Sequence, residues 1–221
     1  MFDSLLSHIA PHLCIACGEV GALLCENCKN NIIQETFSSC VACGTTCGPN
    51  GICTSCRLPY QKAWCIGERT GELRQLIDRL KFERTYAAAD TLADLLHEHI
   101  SNLPSNTTIV PIPTIAPHVR QRGYDHALKL ASLFAKKRKL PMKRLVYRKS
   151  TTMQRGANRA ERLRQAQEAF GTKHILDTAA PYLIVDDVVT TGATLKAAAH
   201  VLREAGAATI WVAVVARQPL D

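Results

Sequence analysis

Aromatic residues and long apolar runs are scarce in this sequence, and each scarcity narrows the choice of protein class. Aromatic side chains make up only 5% of the chain, which leaves few rings on which nucleic-acid bases could stack. No stretch approaches the roughly eighteen consecutive apolar residues that a membrane-spanning helix needs. The N-terminal segment contains Asp3 but neither Lys nor Arg before Cys14, unlike a secretory signal. We therefore expect a cytoplasmic protein without a membrane span.

Two common nucleotide-binding motifs are also missing, since neither G-x-x-x-x-G-K-[ST] nor G-x-G-x-x-G occurs. The chain has 221 residues, 47% of them hydrophobic, which is enough for one ordinary domain and a smaller one. Lys and Arg number 27 against 19 Asp and Glu, a formal charge of +8. This excess favours polyanionic partners such as nucleotides, pyrophosphate, nucleic acid or an acidic protein. Solubility alone is the alternative explanation.

Cysteine is absent from the last 156 residues and concentrated near the N-terminus, where nine of the ten cysteines lie between Cys14 and Cys56. Two Cys-x-x-Cys pairs can complete a tetrahedral thiolate shell for zinc. Four such pairs predict two structural Zn²⁺ ions, whose binding energy would fold a segment of about 45 residues that is too small to bury much core. The predicted ligands are Cys14, Cys17, Cys25, Cys28, Cys40, Cys43, Cys53 and Cys56.

Several details of this cysteine segment stay open at the level of sequence. The four pairs could share the ions sequentially or in a cross-braced order, and Cys47 could replace one ligand of the second set. Cys65 is expected to be a buried small hydrophobe. Gly18 and Gly44, each directly after a second cysteine, are expected to form left-handed turns. A disulfide framework is typical of secreted chains, and four copies of a redox motif would be redundant, so zinc is the preferred interpretation. Such ribbons also serve as docking surfaces for protein or nucleic acid.

The composition changes after the last cysteine pair, and three regions are predicted. Residues 1–58 are a double zinc ribbon, 59–70 a linker and 71–221 an α/β domain. Hydrophobic periodicity predicts helices over 72–81, 87–100, 123–139 and 194–205, and strands over 107–113, 182–185 and 209–216. A short strand is expected within 142–148, and residues 155–169 read as another helix or a charged mobile loop.

The stretch LIVDDVVTTGATL, residues 183–195, joins a strand, two acids, a small-residue turn and a helix. This order places the turn at the carboxyl edge of a parallel sheet, where α/β proteins bind ligands. Amides at the helix start, threonine hydroxyls and a glycine form a socket for a phosphate. Two carboxylates would repel that phosphate, so they suit sugar hydroxyls or a divalent cation. The stretch therefore predicts a site for a ribose 5-phosphate. Acidic pairs also follow strands in phospho-accepting regulators, but there they open the domain.

The same stretch resembles the signature of type I phosphoribosyltransferases, which bind 5-phosphoribosyl-1-pyrophosphate. Further motifs extend the resemblance, over nearly the whole chain, to the ComF family, also called competence protein F or GntX-like proteins. These motifs are LKF (80–82), VPIP (110–113), RQRGYDHA (120–127), TTMQ (151–154) and ER (161–162), together with the four cysteine pairs. Tyr124, Asp125 and His126 stand where that family usually has an aromatic residue, Asn and Gln.

The resemblance implies a fold and a set of ligand contacts. The fold would be a type I phosphoribosyltransferase sheet flanked by helices, with a small N-terminal zinc-ribbon domain whose ions are each held by four cysteines. Asp186 and Asp187 would hold the ribose hydroxyls and Mg²⁺, and with Arg122 they would be the catalytic residues. The 5-phosphate would lie on the signature residues Val188, Val189, Thr190, Thr191, Gly192, Ala193 and Thr194. Pyrophosphate would lie on Pro113, Thr114, Arg120 and Arg122. A flexible loop over 149–162 would add Gln154, Arg155, Arg159 and Arg162.

Two functions follow from the resemblance. The first is a transferase that uses phosphoribosyl pyrophosphate, although no residue declares itself as the base for an acceptor. His126 is a chemical candidate for that base, and a surface histidine is the alternative. The second function is a non-catalytic adaptor that senses the sugar phosphate or contacts DNA. Both fit a role in natural transformation, with single-stranded DNA, a competence helicase and recombination-loading proteins as expected partners. The basic runs KKRK (136–139), KRLVYRK (143–149) and RGANRAERLR (155–164) are expected to follow DNA phosphates.

Overall fold

The computed structural model of the chain describes residues 11–35, 37–83, 85–149 and 169–219. The strands are β1 (His12–Leu13), β2 (Val20–Gly21), β3 (Lys62–Glu68), β4 (Thr108–Pro111), β5 (Tyr147–Arg148), β6 (Phe170–Gly171), β7 (Pro181–Val189) and β8 (Thr209–Arg217). The helices are α1 (Glu26–Gln34), α2 (Gly71–Phe82), α3 (Tyr86–His99), α4 (Ala116–Arg122), α5 (His126–Arg138) and α6 (Ala193–Glu204), with a 3-10 turn at Thr54–Cys56.

Four of these strands form one parallel sheet in the order β3-β8-β7-β4. The central strands β7 and β8 are almost wholly buried, as expected for strands covered on both faces, and they are rich in Val, Ile and Ala. Their register pairs Val185 with Ala213 and Val189 with Arg217, so both strands end at the same edge. The prediction of a parallel sheet flanked by helices is confirmed.

Helices cover both faces of the sheet and create two cores. One core joins α2, α3 and α5 to the face that carries Leu183 and Val185. The other joins α6 to the face that carries Ile184 and Val212. The predicted amphipathic faces account for this packing; for example, the apolar residues of α2 (Leu73, Leu76, Ile77 and Leu80) are all buried.

The cysteine-rich segment packs on both faces of the sheet instead of standing apart. Cys14, Leu23 and Leu24 belong to the core beneath α3. Val41 belongs to the core beneath α6 and is fully buried. The ribbon also continues the sheet edge, because the amide of Ala63 in β3 donates to the carbonyl of Asn50 over 2.8 Å. The two halves of the ribbon are therefore parts of two different hydrophobic cores.

The structure differs from several sequence-based expectations. Residues 59–70, expected as a linker, contain strand β3, whose apolar side chains are buried against β8. Strand β7 continues to Val189 instead of ending at Val185, because the backbone beyond Val185 still pairs with β8. The helix or loop predicted over 155–169 lies almost entirely outside the described residues. No helix within the described ranges is long and apolar enough to cross a membrane.

Candidate functional site

The two acids of β7 lie side by side at the carboxyl end of the strand and point to opposite faces of the sheet, as consecutive strand residues do. Asp187 is 4% exposed, whereas Asp186 is only partly buried. The amide of Asp187 donates to Oδ1 of Asp186 over 2.9 Å. The pair therefore offers one carboxylate that is enclosed and one that is closer to solvent.

Asp187 is enclosed by two basic side chains from the helices on its face. Nζ of Lys81, the penultimate residue of α2, lies 2.5 Å from Oδ2 of Asp187, and Nε2 of His126 lies 3.7 Å from the same oxygen. Burial acts to raise the pKa of the Asp187 carboxyl, but His126 and Lys81 outweigh it and lower that pKa below its usual range. Asp187 is thus an ionised carboxylate held by α2 and α5.

His126 connects Asp187 to Arg122. Nη1 of Arg122 lies 3.0 Å from Nδ1 and 3.4 Å from Nε2 of His126, so the guanidinium, which can only donate, lies against the edge of the imidazole ring. His126 is 5% exposed, so the surface-histidine alternative is wrong. The Arg122 guanidinium also lies 5.4 Å from the ring centroid of Phe82. A chain of contacts therefore runs from Arg122 through His126 to Asp187.

The pKa of Asp186 is shifted in the opposite direction from that of Asp187. The partial burial of its carboxyl raises its pKa well above the usual range, and the negative charge of Asp187 raises that pKa further. Arg148 is the nearby cation on this side, and its charge interacts with Asp186. Nε of Arg148 donates to the carbonyl of Pro113 over 2.8 Å, which ties β5 to the loop after β4. Asp186 is therefore the carboxyl that gains most from a bound cation.

The turn between β7 and α6 has the geometry that a phosphate socket requires. Thr190 and Thr191 are exposed, and Gly192 takes a left-handed conformation with φ of 71° at the start of α6. The first amides of a helix lack intrahelical partners and carry partial positive charge. The amide of Ala193 is 3.4 Å from Oγ1 of Thr191. Hydroxyls and helix-start amides thus converge on one solvent-facing turn.

The loop after β4 lies at the same edge, since β4 pairs in parallel with β7. Thr114 Oγ1 donates to Oδ1 of Asp125 over 2.8 Å, and that carboxylate also caps α5 through the amide of Leu128. Arg120 is exposed on α4. The remaining predicted ligand residues of the flexible loop, Gln154, Arg155, Arg159 and Arg162, lie outside the described residues.

The eight paired cysteines form two clusters in sequential order. Cys14, Cys17, Cys25 and Cys28 make the first cluster, and Cys40, Cys43, Cys53 and Cys56 make the second. Within each cluster the four Sγ atoms lie within 4.8 Å of one another, and three of the Sγ pairs are separated by 3.6 to 4.0 Å. A tetrahedral Zn–S₄ centre requires S–S separations of about 3.8 Å. Both clusters therefore fit structural zinc ions, and the cross-braced alternative is wrong.

Local hydrogen bonds lower the pKa of one cysteine thiol in each cluster. Burial acts to raise the pKa of Cys14, but amides of Cys25, Cys17 and Ala16 lower it to about 6. In the second cluster, the hydroxyl and amide of Thr45 lower the pKa of Cys43 to about 6. Thiolate is the form that binds zinc. The predicted left-handed turns are also present, with φ of 79° at Gly18 and 77° at Gly44.

The two remaining cysteines have other surroundings. Cys47 belongs to neither cluster of four, and burial raises its pKa. Cys65 is buried in β3, where its thiol donates to the carbonyl of Gly67 over 3.2 Å and burial raises its pKa to about 12. The prediction that Cys65 is a small buried residue is confirmed.

Two residues that contact the acid pair were not predicted to belong to the site: Lys81 lies in LKF, and Arg148 lies in KRLVYRK, a run predicted to follow DNA phosphates. Their charge is visible in the sequence, but their partners come from other elements and cannot be predicted from spacing.

Part of the basic run at the end of α5 (residues 136–139) makes contacts within the fold. Lys137 lies 2.9 Å from Asp90 and 2.7 Å from Asp94, and Arg138 donates to the carbonyl of His97. Half of that run therefore binds α3.

The sheet, the acid pair and the threonine turn together define a class of protein. The chain has a phosphoribosyl transferase domain, because the model of that family matches residues 83–221, and its fold is that of the type I enzymes. Within this class the chain belongs to the ComF family: it is 32% identical over 216 residues to competence protein F of Haemophilus influenzae, covering 88% of this chain and 90% of that protein.

Two further relatives support this assignment. The DNA utilization protein YhgH of Salmonella typhi is 29% identical over 218 residues, which cover 91% of this chain and 95% of that protein. Competence protein ComFC of Bacillus subtilis is 24% identical over 196 residues, which cover 84% of this chain and 80% of that protein. The similarity thus extends well beyond the residues that match the phosphoribosyl transferase domain model, and the predicted family resemblance is confirmed.

Proposed function

We propose that this protein binds 5-phosphoribosyl-1-pyrophosphate with Mg²⁺ at the carboxyl edge of its sheet. The observation that carries the proposal is the continuous strand, acid pair and left-handed turn from Asp186 to Gly192. It supplies a carboxyl for a cation or sugar diol directly beside an amide-rich socket for a phosphate. Family membership supports the same ligand, since the family is defined by a phosphoribosyl transferase domain.

Each part of the ligand has a matching part of the site. The 5-phosphate takes the turn, with Val188 and Val189 leading into it and Thr190, Thr191, Gly192, Ala193 and Thr194 facing the phosphate oxygens. The pyrophosphate takes the loop after β4, formed by Pro113 and Thr114, with Arg120 and Arg122 as charged donors. Asp186 takes the ribose hydroxyls and the metal. Asp187 mainly holds α2 and α5 at the carboxyl edge of the sheet, because its carboxylate already contacts Lys81 and His126.

The residues suit Mg²⁺ because it prefers carboxylate oxygen ligands, and Asp186 is the carboxyl whose ionised form has the least compensation from the protein. When bound, Mg²⁺ would neutralise charge on the pyrophosphate as it departs. Arg122 would add positive charge on the same side, and its orientation is fixed by His126.

The geometry bears on how an acceptor would be activated. The ring of His126 is enclosed between Arg122 and Asp187, so this histidine positions charges and is not free to remove a proton from an acceptor. Transfer to an acceptor is a separate part of the proposal, tested by pyrophosphate release with a panel of bases and nucleotides. The absence of release from every acceptor would leave a binding protein that uses the ligand as a signal.

The biological role that we propose is the uptake and cytoplasmic handling of single-stranded DNA during natural transformation. The names of the relatives, competence protein F, competence protein ComFC and DNA utilization protein, support this role. Single-stranded DNA, a competence helicase and recombination-loading proteins are the proposed partners. Exposed basic residues that the fold leaves accessible for DNA phosphates include Lys136, Lys139, Lys143 and Arg144.

Calorimetric titration with phosphoribosyl pyrophosphate, with and without Mg²⁺, tests the site. The expected result is Mg²⁺-dependent binding that Asp186→Asn weakens at least tenfold. Asp94→Asn on α3 is the matched control, because it makes the same chemical change at a surface ion pair with Lys137, and it should bind like the wild type. Unchanged affinity in Asp186→Asn would reject the assignment of the site.

A further inference from the structure

The second cysteine cluster touches the predicted phosphate turn directly. A Cβ placed on Gly192 would lie 3.1 Å from Cβ and 3.2 Å from Cα of Ala42, and Ala42 lies between the cluster ligands Cys40 and Cys43. A side chain on Gly192 would therefore crowd Ala42, and the left-handed φ of 71° at this position disfavours one as well. The position of the turn depends on the position of this cysteine knuckle (residues 40–44).

The knuckle is itself fixed by buried and hydrogen-bonded neighbours. Val41 is fully buried, and its amide donates to the carbonyl of Gly51 over 3.1 Å. The amide of Gly44 donates to the carbonyl of Cys40 over 2.8 Å, which closes the tight turn. The remaining constraint on the knuckle is the cluster of four Sγ atoms. Zinc would convert this cluster from four separate thiols into one rigid centre.

A buried arginine lies between the knuckle and the strand that leads into the phosphate turn. Arg217 is 2% exposed, and a Cβ placed on Gly44 would lie 2.8 Å from its Nη2. Arg217 is paired in register with Val189, and the amide of Gln218 donates to the carbonyl of Val189. Nη1 of Arg217 reaches the carbonyl of Gln218 over a long 3.5 Å, whereas Nε and Nη2 have no hydrogen-bond partner among the described residues.

A buried cation with so few hydrogen bonds needs a source of negative charge nearby. Four thiolates around one Zn²⁺ carry a net charge of −2, and Gly44, which packs on the guanidinium, directly follows the ligand Cys43. Arg217 thus has the location and charge to compensate a zinc-loaded second cluster. This accounts for an arginine beside a core whose members are apolar.

We propose that the second cysteine cluster, once loaded with zinc, is a positioning element for the sugar-phosphate turn, acting through Ala42 against Gly192 and compensated by Arg217. The identity of the ligand rests on the proposed function, whereas the contact between Ala42 and Gly192 does not. The first cluster provides an internal comparison. It packs beneath α3 through Cys14, and α1 beside it is tied to α3 by Lys29, whose Nζ is 3.5 Å from Glu98.

The test compares Cys53→Ser with Cys25→Ser. These are matched substitutions, because each cysteine occupies the N-cap of a helical turn in its cluster and serine is itself a good N-cap. Each variant should retain about one zinc per chain instead of two, by the four-ligand rule. Hydrogen exchange of amides 190–195 should quicken at least tenfold in Cys53→Ser and stay within twofold of wild type in Cys25→Ser. Equal exchange in the two variants would overturn the proposal.

Ala42→Val gives a second route that leaves every zinc ligand in place. Its larger side chain would push against Gly192, so phosphoribosyl pyrophosphate with Mg²⁺ should bind at least tenfold more weakly while metal analysis still gives two zinc ions. Wild-type affinity in Ala42→Val would overturn the coupling. If the wild-type protein itself showed no binding of the ligand, the proposed function would fail, and the exchange experiment on the free protein would still decide the coupling.

Arg217→Met tests the charge compensation separately. Removal of the guanidinium should speed transfer of zinc from the second cluster to a chromogenic chelator by at least fivefold, and the first cluster should release its ion at the wild-type rate. The two ions are distinguished by repeating the measurement in the Cys25→Ser background, where only the second remains. An unchanged rate in that background would remove Arg217 from the proposal.

Discussion

The ammonium of Lys81 lies 2.5 Å from the carboxylate of Asp187 and joins the end of α2 to the end of β7. Both side chains are largely buried, at 16% and 5% exposure. The pair links a helix that carries no predicted ligand residue to the strand that carries four of them. Its loss is expected to affect stability first and ligand binding second.

Lys81→Met should lower the free energy of unfolding at pH 7 by about 3 kcal/mol, the usual cost of leaving one charge of a buried pair without its main partner. Denaturant titration measures the change. Arg79→Met on the same helix is the control, since Arg79 pairs with Glu83 over 3.9 Å at the surface, and it should change stability by no more than about 0.5 kcal/mol. Equal losses in the two variants would contradict the role given to Lys81.

The pH dependence of the same variant has a defined sign. The folded pKa of Asp187 lies below its unfolded value, so its contribution to stability is present above about pH 4 and is lost as the pH falls through the folded value. The difference in unfolding free energy between wild type and Lys81→Met, measured by denaturant titration, should therefore be smaller at about pH 3.5 than at pH 7. A difference that stayed constant would contradict the lowered pKa of Asp187.

Asp186→Asn should stabilise the ligand-free protein while it weakens ligand binding. The folded pKa of Asp186 is raised, so the folded state holds its proton more tightly, and stability is lost as the pH rises from about 4 through the folded pKa. Asparagine removes that loss and can still accept the hydrogen bond from the amide of Asp187. We expect a higher thermal midpoint at pH 8, by roughly 2–4 °C for each kcal/mol regained. A lower midpoint at pH 8 would show that the Asp186 charge is stabilising.

Metal analysis should find about two zinc ions per chain, because each complete set of four thiolates binds one. Cys56→Ser should reduce the content to about one, since Cys56 is a member of the second cluster. Cys47→Ser should leave it unchanged, because Cys47 belongs to neither cluster of four. Loss of an ion in Cys47→Ser would mean that this cysteine replaces one of the eight.

Binding to single-stranded DNA should be weak and should fall steeply as salt rises, because contacts to phosphates release counterions. Fluorescence anisotropy with a labelled oligonucleotide measures it between about 50 and 200 mM salt, the range over which about 10³-fold is lost when some six phosphates are contacted. Lys139→Gln should reduce the affinity more than Lys137→Gln, because Lys137 already pairs with Asp90 and Asp94. An affinity that stayed constant with salt would reject an electrostatic mode of binding.

Local patterns are sufficient to predict much of this architecture. The helix at α2 follows from four apolar residues at helical spacing, and the turn at Gly192 follows from small residues between a buried strand and an amphipathic run. Cysteine spacing predicts the zinc ligands because each pair binds through a local turn. These are features whose physical cause lies within about fifteen residues of sequence.

Features that depend on distant partners cannot be predicted in this way. The strand at Lys62–Glu68 falls within the range predicted to be a linker, since its burial depends on β8, which lies far along the chain. The pairing of Lys81 with Asp187 and of Arg122 with His126 depends on how α2, α4 and α5 are placed on the sheet. The contact between Ala42 and Gly192 joins two motifs whose sequences carry no sign of each other.

The division of the cysteine segment between two cores has a consequence for the whole molecule. Because Cys14 and Val41 are embedded in opposite layers, neither half could be cut away without exposing the core residues that it covers. A cell short of zinc would consequently lose this protein as a unit, instead of being left with an intact phosphoribosyl transferase domain that lacks an accessory tip.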